Sequence, residues 1–212
     1  MGSSAPPRQR DATDRPLVAF DFDGTLTVRD SFRAFLAWRA GPAGYGARLA
    51  RIAPDAAGYI LHRDRGRLKA AMVRAFLAGV PRDRMAAEAG DFAKTSAAGL
   101  FRRDALLRWT EWRERGALVV IVSASPDILL APFADALGAE RLIATRLEFD
   151  ARDRATGRLD GANCRGAEKV ARLREAFGPH VRLAAAYGDS SGDTEMLALA
   201  DDPGMKVFTE AP

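Results

Sequence analysis

Three short apolar runs stand out along the chain, and each ends where polar residues begin. The runs are residues 17–20, 118–122 and 183–187, and the polar residues that follow are Asp21, Ser123, and Gly188 with Asp189. Unbroken apolar runs of this length are typical of strands that are covered on both faces by helices. The pattern therefore predicts three buried strands whose carboxyl ends carry polar side chains.

Helical patterns follow the second and third runs. One extends over residues 126–137 and starts with Pro126, and the other extends over residues 193–200. A strand followed by a helix, repeated along the chain, predicts a doubly wound parallel α/β sheet. Ligands of such sheets bind beyond the carboxyl ends of the strands, which is where the polar residues fall.

The long stretch between the first two runs has helical spacing almost throughout, as at Phe32, Phe35 and Leu36. It is too long for a simple crossover and predicts a small all-helical cap over residues 29–104, inserted after the first strand. The core then comprises residues 17–28 and 105–212. Residues 1–16 are polar and aperiodic, which predicts a disordered tail. Alternation over residues 146–160 predicts a β-hairpin.

Composition narrows the possible chemistry. Apolar residues make up 48% and charged residues 28%, which excludes a disordered chain. One cysteine and two histidines exclude a disulfide framework and a Cys- or His-based metal cluster. No apolar run approaches the roughly 18 residues needed to span a bilayer. The net charge of +4 is scattered and carried mostly by arginine, so it is not taken as a nucleic-acid signal, and each of the four lysines merits a question about its role.

The sharpest chemical signal is the segment Asp21-Phe22-Asp23-Gly24-Thr25 after the first strand. One carboxylate can act as a nucleophile, and a second nearby can act as acid and then base. Solvated loop aspartates are the ordinary alternative. A calcium loop fits less well, because its glycine belongs at position six and a helix should precede it.

The other strand ends are ambiguous when each is taken alone. Ser123 could seat a phosphate or simply cap a helix, as could Ser125, and Asp193 is also a good helix cap. Lys169 alone would be read as a solvated lysine. Taken together, the strand ends favour a functional site, because four carboxylates would converge there: Asp21, Asp23, Asp189 and Asp193. Like charges about 4 Å apart repel by about 4 kcal/mol at an effective dielectric of 20. Such a cluster needs a hard cation, and Mg²⁺ fits best.

In order along the chain, Asp21-x-Asp23-Gly24-Thr25, Ser123, Lys169 and Gly188-Asp189 with Asp193 resemble the four motifs of the haloacid dehalogenase (HAD) superfamily. The resemblance extends from Leu17 to the C-terminus. It is to subfamily IB, the phosphoserine phosphatase-like members with a C1 helical cap on a Rossmannoid core. The segment around Lys169 looks closest to phosphatidylglycerophosphatase C-like members.

The resemblance implies a role for each motif residue. Asp21 would attack phosphorus, Asp23 would act as acid and base, and Ser123 and Lys169 would hold the phosphoryl group. The metal ligands would be Asp21, the backbone carbonyl of Asp23, and Asp189, with Asp193 positioning Lys169 or the metal ligands. The residues expected to contact the substrate or its phosphate are Gly24, Thr25, Ala124 and Asp30. Asp30 stands where phosphoserine phosphatases have a glutamate that contacts the substrate ammonium.

The sequence thus predicts a cytoplasmic, Mg²⁺-dependent phosphomonoester hydrolase that works through an aspartyl-phosphate. Its expected substrate is a small phosphorylated metabolite or a phospholipid headgroup, with no nucleic-acid partner and at most peripheral membrane contact. One alternative is a phosphotransferase or mutase of the same fold. Another is a non-catalytic basic protein that binds nucleic acid or acidic lipid. The oligomeric state is left open.

Overall fold

The computed structural model of the protein describes residues 15–52 and 65–212. The strands are β1 Leu17–Phe20, β2 Leu118–Pro126, β3 Arg141–Phe149, β4 Ala155–Asp160, β5 Leu183–Gly188 and β6 Ala200–Met205. The helices are α1 Ser31–Arg51, α2 Arg65–Leu77, α3 Arg82–Ser96, α4 Arg103–Glu114, α5 Asp127–Leu137, α6 Ala167–Phe177 and α7 Thr194–Leu197. Residues 1–14 of the predicted tail lie outside the described residues, whereas Pro16 accepts a hydrogen bond from the Leu118 backbone.

The strands form one sheet in the order β4-β3-β2-β1-β5-β6, and only β4 runs antiparallel to its neighbour. Successive side chains of β1 point to opposite faces, so Val18 and Phe20 join one apolar cluster while Leu17 and Ala19 join another. Helices cover both faces, which explains why the strands are apolar without alternation. The predicted doubly wound α/β fold is confirmed.

Helices α1, α2 and α3 follow β1 and lie within residues 29–104, where the sequence predicts the cap. Helix α1 is interrupted at Gly41, which has a φ of +67°. The next residue is Pro42, which has no amide proton to continue the hydrogen bonds of the helix. Helix α3 also packs on the core, because the Phe92 ring meets the Phe133 ring of α5 at 6.0 Å. None of the described helices is long and apolar enough to cross a membrane.

The predicted hairpin is present as β3 and β4, with its turn at residues 150–154. The Asp150 carboxylate accepts hydrogen bonds from the backbone amides of Arg152 and Arg154, both at 2.9 Å, which closes this turn. Gly157, inside β4, has a φ of +85° where the register between β3 and β4 shifts, and it also lies close to the backbone of Arg74. The positive φ therefore falls at an irregularity within the strand and not at the turn.

The helix expected over residues 193–200 ends at Leu197, and the chain then forms β6, which the sequence pattern did not predict. Strand β6 contains two aspartates, Pro203 and Gly204, all poor strand formers. Its parallel pairing with β5, from Leu183 opposite Ala200 onward, overrides this low propensity. As an edge strand it can accommodate Pro203.

The order of the strands determines where a ligand can bind. Strand β1 has β2 on one side and β5 on the other. The chain runs from β1 to β2 and β3 on one side, and it later crosses to β5 and β6 on the other side. A crevice opens at such a point beyond the carboxyl ends of the strands. The motif residues Asp21, Ser123 and Asp189 come together there.

Candidate active site

Lys169 lies at the centre of the site and is almost fully buried on helix α6. Its Nζ donates to Asp21 Oδ1 at 2.7 Å, to Asp193 Oδ1 at 2.6 Å and to the backbone carbonyl of Val122 at 2.6 Å. These three acceptors use all three protons of the ammonium. Burial alone would lower the lysine pKa, but the charges of Asp21 and Asp193 outweigh it and raise the pKa. The structure thus brings Lys169 into the site as a fixed cation.

Asp21 follows β1 directly, and its backbone amide donates to the Tyr187 carbonyl at 2.9 Å. Burial raises the pKa of its carboxyl group to about 7, and the Lys169 ammonium opposes this rise. Two buried carboxylates share one ammonium, so one of them keeps a high proton affinity. Asp21 is thus buried and hydrogen-bonded to Lys169, and its charge is sensitive to any cation added nearby.

Asp193 is fixed more tightly than Asp21. Its Oδ2 accepts hydrogen bonds from the backbone amides of Asp189 and Ser190 and from the Ser190 hydroxyl. Burial would raise its pKa, but Lys169 and these hydrogen bonds lower it. Asp193 occupies the cap position of α7, yet its side chain makes no capping hydrogen bond there. Its carboxylate instead positions Lys169, and it lies in the acidic cluster with Asp21 and Asp189.

Asp23 points away from that cluster and is held by two serines. Its Oδ1 accepts from the Ser31 backbone amide at 2.6 Å, and its Oδ2 accepts from the Ser125 hydroxyl at 2.5 Å. Burial and the nearby Asp30 charge raise the pKa of Asp23, against these hydrogen bonds. A carboxyl with a raised pKa and a fixed orientation suits a general acid.

Neither Ser123 nor Ser125, near the carboxyl end of β2, caps helix α5, which was the ordinary alternative for both. The cap position belongs to Pro126, and no side chain caps the helix. Ser123 accepts a hydrogen bond from the Ser125 backbone amide at 3.1 Å and lies on the cavity wall, as does Ala124. Ser125 is the residue whose role the sequence did not reveal, because its partner Asp23 is 102 positions away in the chain.

Gly24 allows the segment after β1 to pass the Asp189 carboxylate. The chain makes a single turn closed by a hydrogen bond from the Thr27 amide to the Phe22 carbonyl at 3.1 Å, and Gly24 has a φ of +83° within it. A Cβ at Gly24 would lie 2.3 Å from Asp189 Oδ2. Thr25, expected to contact phosphate, is buried and does not line the cavity, because the turn directs it into the protein.

The donor set fits Mg²⁺. Carboxylate oxygens of Asp21, Asp189 and Asp193 lie within 4.8 Å of one another, and oxygen ligands in such an arrangement suit a hard divalent cation. The Asp23 carboxylate is outside this set because Ser31 and Ser125 hold it elsewhere. This is compatible with the expected ligation through the Asp23 backbone carbonyl.

Lys69 on cap helix α2 is a second residue that the sequence did not assign, although the scarcity of lysines had raised the question. Its Nζ donates to the backbone carbonyl of Ala124 at 2.6 Å. Burial lowers its pKa, while the charges of Asp23 and Asp30 oppose that change. Lys69 lines the same cavity and ties the cap to the end of β2.

Asp30, expected near the leaving group, lies on the cavity wall and is exposed. Its Oδ1 accepts from the Arg33 backbone amide at 2.8 Å and thereby caps helix α1. Residues 53–64 of the predicted cap lie outside the described residues.

These side chains meet in the crevice between β1 and its two neighbours in the sheet. Buried carboxyl groups, a buried lysine and a set of oxygen ligands for a cation in one crevice are typical of an enzyme active site. The chain belongs to the haloacid dehalogenase-like hydrolase family, whose sequence profile matches residues 18–198. This confirms the family that the four motifs indicated and makes the protein a hydrolase by class.

The chain is also similar to individual proteins in sequence or in structure. Protein CicA of Caulobacter vibrioides is 56% identical over 196 residues, which cover 92% of this chain and 88% of the relative. A protein of unknown function from Bordetella pertussis Tohama I has a similar structure, with a TM-score of 0.74, 26% identity and coverage of 89% and 88% of the two chains. A phosphoserine phosphatase solved as a phospho-aspartyl intermediate analogue has a TM-score of 0.58, 21% identity and coverage of 89% and 85%.

Proposed function

We propose that this hydrolase is a Mg²⁺-dependent phosphomonoesterase that forms an aspartyl-phosphate on Asp21. Its substrate would be a small phosphorylated metabolite or a phospholipid headgroup. The observation that carries the proposal is the buried triad in which Lys169 bridges Asp21 and Asp193, with Asp23 held separately by Ser31 and Ser125. This arrangement supports a two-step phosphoryl transfer, because the proposed nucleophile and the proposed acid and base are separate side chains.

In the first step a carboxylate oxygen of Asp21 attacks phosphorus, and the bond from phosphorus to the ester oxygen breaks. The proton that the departing oxygen needs comes from Asp23, whose raised pKa favours the protonated form. Ser123 binds an equatorial oxygen of the transferring group, and the nearby charge of Lys169 offsets the negative charge that is spread over these oxygens in the transition state.

In the second step Asp23, now ionised, takes a proton from water as the water oxygen attacks phosphorus. The bond between phosphorus and the Asp21 oxygen breaks, which releases inorganic phosphate and restores both carboxyl groups. The same residue thus acts as acid and then as base. Ser31 and Ser125 hold Asp23 in place through both steps.

Asp21, Asp189 and the backbone carbonyl of Asp23 would hold the metal ion, with Asp193 orienting the loop that carries Asp189. When bound, the ion supplies charge neutralisation between the carboxylates and the phosphate. The related phosphoserine phosphatase, whose structure was solved as a phospho-aspartyl intermediate analogue, supports this chemistry for the fold.

The test is hydrolysis of p-nitrophenyl phosphate by the purified protein with Mg²⁺, with chelator, and after Mg²⁺ is restored. We expect activity only when the metal is present. Asp21→Asn should lose at least about 10³-fold in kcat while remaining folded, because the amide cannot form the acyl phosphate. Acid-quenched wild-type protein should retain phosphate during turnover, and the variant should not.

Asp91→Asn is a matched control, because the Asp91 carboxylate on helix α3 is exposed and does not line the cavity. Wild-type rates in Asp21→Asn would rule out the nucleophile, and full activity in chelator would rule out the metal. Adding an alcohol acceptor separates hydrolysis from the phosphotransferase alternative, since a transferase would convert most of the substrate to the new ester.

A further inference from the structure

The cavity is larger than a phosphate group requires. Its volume is about 520 Å³, and it extends from Asp21 and Lys169 at the floor to the first turn of cap helix α1. Volumes of roughly 300–1,000 Å³ are typical of sites for small organic molecules. The space above the floor is therefore available to the alcohol part of a phosphate ester, and its lining residues determine which alcohol fits.

Two arginines, Arg29 and Arg33, line the outer part of this cavity and are exposed. Neither guanidinium group makes a hydrogen bond or an ion pair with any of the described residues. Other exposed arginines of the described chain do find carboxylates, as in Arg84 with Glu88 at 2.9 Å and Arg158 with Glu148 at 2.6 Å. The two cavity arginines are thus available to bind an anion.

The carboxylate nearest to them in sequence, Asp30, is engaged by the protein itself. Its Oδ1 caps helix α1 through the Arg33 backbone amide, and it forms no ion pair with either arginine side chain. A cationic group on a substrate would meet one carboxylate that is already hydrogen-bonded and two unpaired guanidinium groups. The rim therefore favours an anion over an ammonium group.

Phe32, Leu68 and Met72 give part of the cavity lining an apolar character, beside the polar residues. A short carbon chain can lie against these side chains without losing hydrogen bonds. The cavity thus combines the proposed phosphoryl site, apolar side chains and two exposed arginines.

We propose that the preferred substrates are phosphomonoesters with a second anionic group, a carboxylate or another phosphate, which Arg29 and Arg33 bind across a short carbon spacer. This inference rests on the proposed phosphatase function and adds the class of substrate. Guanidinium groups form paired, charge-assisted hydrogen bonds with both kinds of anion.

The test compares ligands that cannot be hydrolysed, so that binding is measured apart from catalysis. Isothermal titration calorimetry with Mg²⁺ present would compare phosphonobutyrate with butylphosphonate, which has the same carbon chain but no distal charge. We expect phosphonobutyrate to bind at least about tenfold more tightly, because butylphosphonate lacks the charge-assisted hydrogen bonds to the arginines, and one such bond accounts for a difference of this size. A bisphosphonate of similar length shows whether phosphate or carboxylate is preferred.

The Arg29→Gln/Arg33→Gln double variant should bring the ratio of the two affinities close to one. Arg103→Gln, which alters an exposed arginine on α4 outside the cavity, should leave the ratio unchanged. Equal wild-type binding of both ligands overturns the inference. So does an equal loss for both ligands in the double variant, because the arginines would then only steer phosphonates in general.

A kinetic comparison of phosphoglycerate with glycerol phosphate separates this inference from the proposed function. Hydrolysis of both esters at similar efficiency contradicts the inference and supports the phosphatase. Tight binding of phosphonobutyrate with no hydrolysis of any ester contradicts the phosphatase and supports the anion site.

Discussion

The charge state of Asp21 depends on how one ammonium is shared. Lys169 Nζ bonds to both Asp21 and Asp193, but the backbone amides of Asp189 and Ser190 stabilise only Asp193. The pKa of Asp193 is accordingly lowered, while that of Asp21 is raised to about 7. In the metal-free protein, a proton on Asp21 competes with any cation for the same carboxylate.

This competition predicts the pH dependence of Mg²⁺ binding. A pKa raised to about 7 means that Asp21 is largely protonated below that pH, so Mg²⁺ affinity should fall as the pH decreases. Well below the pKa the loss should be about tenfold per pH unit, and binding near pH 7 should release roughly half a proton. Calorimetry in buffers of different ionisation enthalpy measures this release.

Asp21→Asn is the reference for that measurement, because the amide has no proton to release. An equal proton release by the variant and the wild-type protein would contradict the assignment to Asp21.

A second prediction at the residue scale concerns Ser125. Its hydroxyl donates to Asp23 Oδ2, so Ser125→Ala should leave the acid less well oriented and slow turnover of esters with poor leaving groups by about tenfold. Aryl esters, whose leaving groups need little protonation, should be affected less. Steady-state kcat for alkyl and p-nitrophenyl phosphates measures the difference.

Ser125→Thr keeps the hydroxyl and should restore most of the rate, and Ser96→Ala alters a cap serine away from the cavity as a control. If alkyl and aryl esters slow equally in Ser125→Ala, Ser125 does not act through the acid.

At the scale of elements, the hairpin of β3 and β4 supports the cap. The Gly79 amide donates to the Ala155 carbonyl at 2.7 Å, and the Ala155 amide donates to the Val80 carbonyl at 2.9 Å. A Cβ at Gly157 would lie 3.0 Å from Ala78 Cβ and 3.1 Å from Arg74 Cα, at the end of α2. The hairpin therefore determines how closely α2, and with it Lys69, approaches the core.

Two glycines of the hairpin allow this contact to be tested. Gly157 and Gly161 have φ values of +85° and +81°, but only at Gly157 would an added Cβ meet neighbouring atoms within 4 Å. Both alanine variants share the strain of a positive φ, so Gly157→Ala should lower the free energy of unfolding by about 1–3 kcal/mol more than Gly161→Ala. Urea denaturation measures both, and equal losses would show that α2 tolerates the added methyl group.

The same elements show why sequence patterns predict some structure and miss the rest. The hairpin was predictable because alternation is a local property of one segment. Strand β6 was not, because Asp201, Asp202 and Pro203 disfavour a strand and only β5 provides the pairing. Helix α7 was overestimated for the same reason, since the chain leaves the helix to reach that edge.

At the scale of the whole molecule, the site exists because the fold joins distant segments at one edge of the sheet. Asp21 and Lys169 are 148 positions apart in the chain, yet they share a hydrogen bond. Lys69 reaches the Ala124 carbonyl from helix α2, 55 positions away, so this helix contributes a side chain to the cavity that Asp21 also lines. Cap and core share one apolar cluster, which makes the cavity a joint product of both.

The sequence by itself determined the strands that end in polar residues, the inserted helices, and the identity of the acidic and lysine residues, because these are encoded in local spacing and in the order of the motifs. Only the tertiary structure decided which partner each polar group has. It paired Asp23 with Ser31 and Ser125, brought Lys69 to Ala124, turned Thr25 away from the cavity, and left Arg29 and Arg33 unpaired among the described residues. Those pairings depend on distances across the fold, which local periodicity does not encode.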